Sequence, residues 1–492
     1  MKKARALVLV ILVLSLVVPS FAQSSKEPVE LTMAFFIFAS PPSDLPAVQD
    51  GLNKLLVPKI GAKVKLLPIN LSAIQQQSNL MIASGEKLDL LINGTWSFFN
   101  LGTQIAKNQL LPLDELLAKY GQDIVKSMDP GFLAAGKVKG KQYLIPTVRD
   151  FAGSYSIVMR KDICDELKIN VDKVRTLSDV ESVLKLVKAK KPDLVPLVPF
   201  SSGEPVVDVQ DYDTIGNLFG MLMDYGSSLK VVDFFQSKEY ADRVNLVHSW
   251  YQQGLILRDA PTNQDDRSVY IKANRAFAYI TRSKVGFATQ ESGICGQPMV
   301  VAELVPAFSV TDSVANCGYT IPRNSTNPEK AMQLLNLLYS DPQVYNLLVY
   351  GIEGKHYVKT PDGFIDYPVG MDSKTSPYAT FNQIPWELGD EFIGYVWKGS
   401  SPTIWKDTEK FNNAARKSKA LGFVFDMTPV KNEFAACTNV LNRYRFGLED
   451  GVLEPAKTIP EMNQALKAAG IDKIIAEKQK QLDAWAAENG VK

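Results

Sequence analysis

An α/β protein of more than one domain is what this sequence predicts, and three observations predict it. The chain has 492 residues, more than one small hydrophobic core organises. Its first hundred residues read strand, helix, strand, helix, strand, an alternation that builds a parallel sheet with right-handed crossovers. Its composition, 46% hydrophobic and 22% charged, is that of an ordinary globular protein.

The leading segment departs from that average. Lys2, Lys3 and Arg5 precede an apolar run from Leu7 to Val18 and the small residues Ser20 and Ala22. A basic start, a run too short to span a bilayer and small residues at the cut describe a signal peptide over residues 1–22. Its removal takes the formal net charge from +1 to about −2. A near-neutral chain argues against nucleic acid or an anionic membrane as partner, since both need a clustered basic face. No cysteine stands immediately after the cut, where Gln23 lies, so a freely soluble exported protein is expected rather than a lipid-anchored one.

The elements follow in order. Val29–Phe38 alternates and then becomes continuously apolar, as in a strand buried on both faces. Ser43 is placed to cap a helix with Leu45, Val48 and Leu52 on one face. A second strand starts at Lys63. Ser72 and Gln75 have capping-box spacing before a helix that ends near Gly85, and Leu88–Asn93 is the third strand. The stretch from Tyr143 to Phe151 reads as a crossing into a new strand, Ser154–Met159. Helices are expected around Asp213–Tyr225 and Tyr240–Gln253. Tyr319–Asn324 reads as a second crossing, followed by helices from Asn327-Pro328 and Asp341-Pro342. Thr458 with Glu461 makes a further capping box in a helical C-terminal part.

Three features invite chemistry and are read as structure. YGIEGKHYV (Tyr350–Val358) puts Glu353 near one of only two histidines, His356; a helix stop and a hairpin account for its glycines, and no catalytic pair is assigned. Asp208, Asp211 and Asp213 lack the alternate-position spacing and central glycine of a calcium loop, so a solvated turn is expected. Cys164, Cys295, Cys317 and Cys437 have no zinc spacing; an exported chain permits disulfides, with Cys295–Cys317, nearest in sequence, the favoured pair. No metal and no cofactor is expected.

Six segments together resemble a known family: SGEKLDLLINGTW (Ser84–Trp96), LLPLDELLAKYG (Leu110–Gly121), IPRNSTNPEKAMQLLNLLY (Ile321–Tyr339), YGIEGKHYV, GFVFDMTPVKNEFAACTNV (Gly422–Val440) and LKAAGIDKIIAEKQKQLDAW (Leu466–Trp485). In this order they resemble extracellular solute-binding protein family 1, the substrate-binding proteins of carbohydrate-type ABC importers. The likeness is to the long subgroup with a C-terminal domain of unknown function. The resemblance implies a two-lobe periplasmic-binding-protein fold, each lobe a mostly parallel sheet flanked by helices, with the ligand in the cleft between lobes. Residues 23–149 and about 318–380 would form lobe 1, and 150–317 and about 381–492 lobe 2. It also implies a monomer in the periplasm, a sugar or oligosaccharide as ligand, a membrane permease as partner and no catalysis.

A sugar offers a C–H face that packs on aromatic rings and a hydroxyl rim that needs hydrogen-bond partners. Ligands of open α/β sheets sit beyond the carboxyl ends of strands. Phe38 and Ser40 follow strand one, and Trp96 follows strand three. Arg149 and Asp150 stand at the first crossing, and Trp386 lies in chain broken by Gly, Pro and Ser. These six are the ligand-binding candidates. Trp250 and Trp485 lie on amphipathic helices and are assigned to core. Two rival readings stay open, a secreted glycoside hydrolase with paired carboxylates and a ligand-binding sensor subunit.

Overall fold

The computed structural model describes residues 27–38, 40–96, 98–99, 101–378 and 384–492. The expected signal peptide and the expected lobe boundary at about 380 fall outside these residues. The principal strands are β1 (Val29–Ile37), β2 (Ala62–Asn70), β3 (Leu90–Asn93), β4 (Ile145–Pro146), β5 (Gly153–Arg160), β6 (Val195–Leu197), β7 (Ala276–Ser283), β8 (Met299–Ser309), β9 (Gly318–Thr320) and β10 (Arg416–Lys417). They form two five-stranded sheets, β2-β1-β3-β9-β4 and β10-β8-β5-β7-β6.

The expected β-α-β-α-β start is present, with β1 parallel to both β2 and β3. Along β2, Lys63 and Lys65 face solvent while Val64 and Leu66 are buried. That alternation suits an edge strand, whose exposed lysines discourage pairing with another chain. The helices here are α1 (Leu45–Ile60) and α2 (Ile74–Ser84). Neither uses the expected cap: Ser43 and Ser72 both lie ahead of the residue that starts the helix, and Ser72 bonds Asn70 instead.

Each sheet is mostly parallel, as expected, with four of its five strands running one way and a single strand opposing them. β9 is antiparallel to β3 and β4, and β5 is antiparallel to β7 and β8. The cause is connectivity. β9 enters the first sheet from the second, not through a crossover helix, so no handed βαβ unit fixes its direction.

The chain passes between the sheets three times: between β4 and β5, between β8 and β9, and over the stretch that ends at β10. The second crossing lies at 310–317, just ahead of the expected Tyr319–Asn324, because β9 already belongs to the first sheet. The first crossing is tied down by a side chain from far along the chain. Asn412, on the helix Ile404–Ala414, donates to the Arg149 carbonyl (2.6 Å) and accepts from the Ala152 amide (3.0 Å).

Ile384 and Leu388 are buried in the core of the first sheet, with Trp386, Phe392 and Trp397 packed against it. Residues 384–397 therefore pack with the first lobe, not the second as expected from about 381. Their turns carry too little regular periodicity to reveal a partner. A separate core joins Tyr212–Val244 to the C-terminal helices Lys431–Glu449, Pro455–Ala469 and Ile471–Asn489. The helix expected at Asp213–Tyr225 is absent. Ile215, Gly216, Gly220, Asp224 and Tyr225 all have positive φ there, which a right-handed helix excludes. Thr458 caps nothing either, since its helix starts a turn earlier, at Pro455, behind Glu454.

Candidate functional site

The candidate site assembles where the first two crossings meet the ends of β1 and β3. Phe36 is buried and Phe38, the last ring of that run, is 55% exposed. The two touch edge-on at 5.5 Å. After β3, Gly94 runs so close to the second crossing that a Cβ would sit 2.0 Å from the Asn316 carbonyl oxygen. Only glycine lets the backbone pass, and Trp96 is delivered two residues on. The turn Pro385–Glu387 brings Trp386 to meet it, 5.7 Å away and edge to face. Phe98 and Phe99 back the pair, with Phe98 5.3 Å from Trp96.

Arg149 lies over this wall, its guanidinium carbon 4.7 Å from the Trp386 ring centre and 6.0 Å from that of Trp96. Its Nε donates to Asp150 (2.9 Å). Two cations from the end of β7 also face Asp150, Lys284 at 3.5 Å and Arg282 at 3.7 Å. Burial alone would raise the Asp150 pKa, but Arg149, Lys284 and Arg282 outweigh it and hold the carboxyl well below its usual range.

Acidic side chains collect behind Trp386. Glu387 is fully buried, and neither of its carboxyl oxygens has a hydrogen-bond partner. Burial drives its pKa far up against the pull of Arg149, so Glu387 is held neutral. Glu391 is pushed up to about 7 by burial, with Lys284 opposing. Nη1 of Arg149 and Nη2 of Arg282 are buried and also unpartnered.

The structure thus brings Phe38, Trp96, Arg149, Asp150 and Trp386 into one neighbourhood. Ser40 is exposed on the loop beyond Phe38. Sequence reasoning missed Arg282, Lys284 and Glu387. The first two sit at the carboxyl end of β7, where the strand-end rule that found Trp96 applies equally.

The features read as structure keep that role, with two corrections. Nδ1 of His356 accepts from the Ile352 amide (2.9 Å), so the ring proton is on Nε2, which faces Asp44 at 2.9 Å. Glu353 pairs with Lys359 instead. With both ring nitrogens committed, the histidine has no lone pair for a base. The Asp208–Asp213 stretch is not a solvated turn: Asp213 is buried, its pKa pushed up to about 6. Cys295 and Cys317 do not pair. All four cysteines are free and buried, these two in different cores. Trp250 is core, as expected. Among the described residues no three metal-ligating side chains gather, and no helix is long and apolar enough to cross a membrane.

Known proteins resemble the chain over nearly its whole length. The model of a domain of unknown function (DUF3502) matches residues 419–487. A carbohydrate ABC transporter substrate-binding protein of Streptococcus pneumoniae serotype 4 is 26% identical over 471 residues, 94% of this chain and 92% of that protein. Among solved structures, the N-glycan transport solute binding protein NgtS of Streptococcus pneumoniae superposes with a TM-score of 0.82 at 24% identity, covering 94% of this chain and 100% of the other. NgtS in complex with Man5GlcNAc gives 0.68 at the same identity, covering 94% and 99%. The chain has the two-lobe fold of these solute-binding proteins, and its residues 419–487 match the DUF3502 domain.

Proposed function

We propose that the chain is the substrate-binding component of an ABC transporter, which captures an oligosaccharide between its lobes and hands it to a membrane permease. The observation that carries this reading is the Trp96–Trp386–Arg149 group. Two indole faces meet edge-on under a guanidinium, ringed by buried polar atoms that have no partner within the protein. Indoles take the C–H faces of a sugar, and the unpartnered Arg149 and Arg282 nitrogens suit its hydroxyl rim. Phe38, Ser40 and Asp150 complete the proposed ligand set, with Asp150 orienting Arg149. Lobe 1 on this reading is residues 27–148 with 318–397, and lobe 2 is 153–309 with 416–492.

Closure of the lobes belongs to the same reading. The chain matches NgtS better than it matches the Man5GlcNAc complex of that protein, at equal identity. Sequence being constant, the difference between those scores is one of shape, as expected for lobes that move when sugar is held. We place the protein in the periplasm, exported behind residues 1–22, as a monomer without catalytic activity.

The test is a thermal-shift screen of the exported chain against neutral and acidic oligosaccharides, with the sugar recovered and analysed. A ligand at a hundredfold excess over Kd stabilises by about 2.7 kcal/mol. A raised Tm with intact sugar supports a receptor. A consumed sugar overturns it in favour of a glycoside hydrolase.

A further inference from the structure

The DUF3502 segment ends in the helix Ile471–Asn489, which carries one fully buried lysine, Lys478. Its amine does not face a carboxylate at hydrogen-bond distance. It points into the loop Thr214–Gly220 of the second lobe and donates to four oxygens there. These are the carbonyls of Thr214 (3.1 Å), Asn217 (3.1 Å) and Gly220 (2.8 Å) and Oδ1 of Asn217 (3.1 Å). The Phe425 ring closes one side, 5.4 Å away.

Three carbonyls and an amide oxygen turned onto one point repel one another unless N–H donors sit between them. The loop reaches this shape only through left-handed backbone, at Ile215 (φ 40°), Gly216 (φ 96°) and Gly220 (φ 93°). At Gly220 a Cβ would press within 2.7 Å of Val231. Such a loop is costly to hold and needs a centre to fold around.

What the loop holds in turn is the second crossing. Oδ2 of Asp312 accepts from Oγ1 of Thr214 (3.1 Å) and from the amide of Gly216 (3.2 Å). Three residues on, the Ala315 carbonyl accepts the amide of Thr95 (3.0 Å), which adjoins Trp96. A continuous path thus runs from the last helix to the cleft tryptophan, through Lys478, the loop, Asp312 and the crossing.

We propose that the Lys478 amine is a tethered hydrogen-bond donor, supplied by the DUF3502 helix, around which the loop Thr214–Gly220 folds, and that this loop positions the crossing beside Trp96. On this assignment the C-terminal domain acts as a structural partner of the binding cleft. Lys478 is a positioning residue and touches no ligand.

Hydrogen exchange of the full chain tests this without any sugar, so the outcome is independent of what the cleft binds. Lys478→Met keeps the apolar stem and removes the amine and its donors. Amides of 211–222 and of Thr95 should then exchange at least tenfold faster, while the C-terminal helices stay protected. Lys473→Met, an exposed position on the same helix, should change nothing. Unchanged exchange in Lys478→Met, or equal acceleration throughout the domain, overturns the proposal. Should that variant not fold, Asp312→Leu decides: it leaves Lys478 in place, and faster exchange at Thr95 with 217–220 still protected supports the path. Unchanged Thr95 exchange there overturns it.

Discussion

Two arginines of this protein, Arg267 buried and Arg149 half-buried, lie over aromatic rings beside buried acids, and they differ in how fully their partners are satisfied. In the second lobe, Arg267 lies 4.1 Å from the Phe200 ring centre and donates twice to Glu291 (2.9 and 3.0 Å). Tyr279 and Gln290 donate to the same carboxyl, and Asp266 takes the remaining arm of the guanidinium. Every polar atom of that network is partnered. In the Arg149 group, Arg149 Nη1 and both oxygens of Glu387 are not. A saturated network does structural work and has nothing to offer a ligand. An unsaturated one costs stability until something binds, which is how binding sites differ from cores of the same composition.

The comparison breaks first at Arg267. Removing one partner of a fully desolvated pair leaves a buried charge, at a cost of about 3–5 kcal/mol. Arg267→Met should therefore lower stability by about that much in denaturant unfolding, with sugar affinity in the surviving folded protein unchanged. A loss of affinity without loss of stability would put this network in the site.

A pH titration comes next. Glu391 is pushed up to about 7 in the folded protein, so it binds a proton there that the unfolded chain releases above its ordinary value near 4.5. With more protons bound when folded, stability falls as pH rises from about 4.5 to 7 and levels off above that. A shift of that size corresponds to roughly 3 kcal/mol at most. Glu391→Gln should flatten this part of the Tm–pH curve and raise Tm at pH 8. An unchanged curve would remove Glu391 from the set of strained groups.

Trp386→Ala is the direct test of the site. An aromatic anchor of this kind contributes about 2 kcal/mol, so Kd for the cognate sugar should rise roughly thirtyfold by calorimetry. Trp405→Ala is the internal control. That ring stacks on Phe392, and its Nε1 already bonds the Gly394 carbonyl, so its loss should cost stability without costing affinity. Equal affinity losses in both would deny Trp386 its special place.

How much of this was legible beforehand follows from what periodicity records. The opening β-α-β-α-β unit was readable because each helix or strand signals its buried face by its own spacing. The Pro342–Tyr350 helix was readable from Asp341-Pro342 and its Gly351 stop, and Asp341 does cap it. Trp96, Arg149 and Trp386 were singled out as candidates because they stand at strand ends, crossings or broken chain, where core packing is not the default. Glu387 and Asn412 carried no such mark, because their roles arise from partners more than two hundred residues away in sequence. The loop around Lys478 was misread for a related reason. Its apolar residues have helical spacing, but its carbonyls turn onto an amine that arrives from the last helix.

The smallest expected effect separates the two arginine groups most sharply, because stability and affinity should move in opposite directions. Glu387 is buried, held neutral and unpartnered, so it destabilises the unliganded protein by about 1–3 kcal/mol. Glu387→Leu, similar in volume and without polar atoms, should raise stability by about 1 kcal/mol, somewhat below that range because the branched chain fits imperfectly. The same change should weaken sugar binding several-fold, since a group kept unpartnered is available to a hydroxyl. The matching change in the second lobe, Glu291→Leu, should do the reverse on stability by stranding Arg267. Chemical unfolding and calorimetry on the two variants give four numbers. If Glu387→Leu loses stability as Glu291→Leu does, Glu387 is an ordinary core group and takes no part in the proposed site.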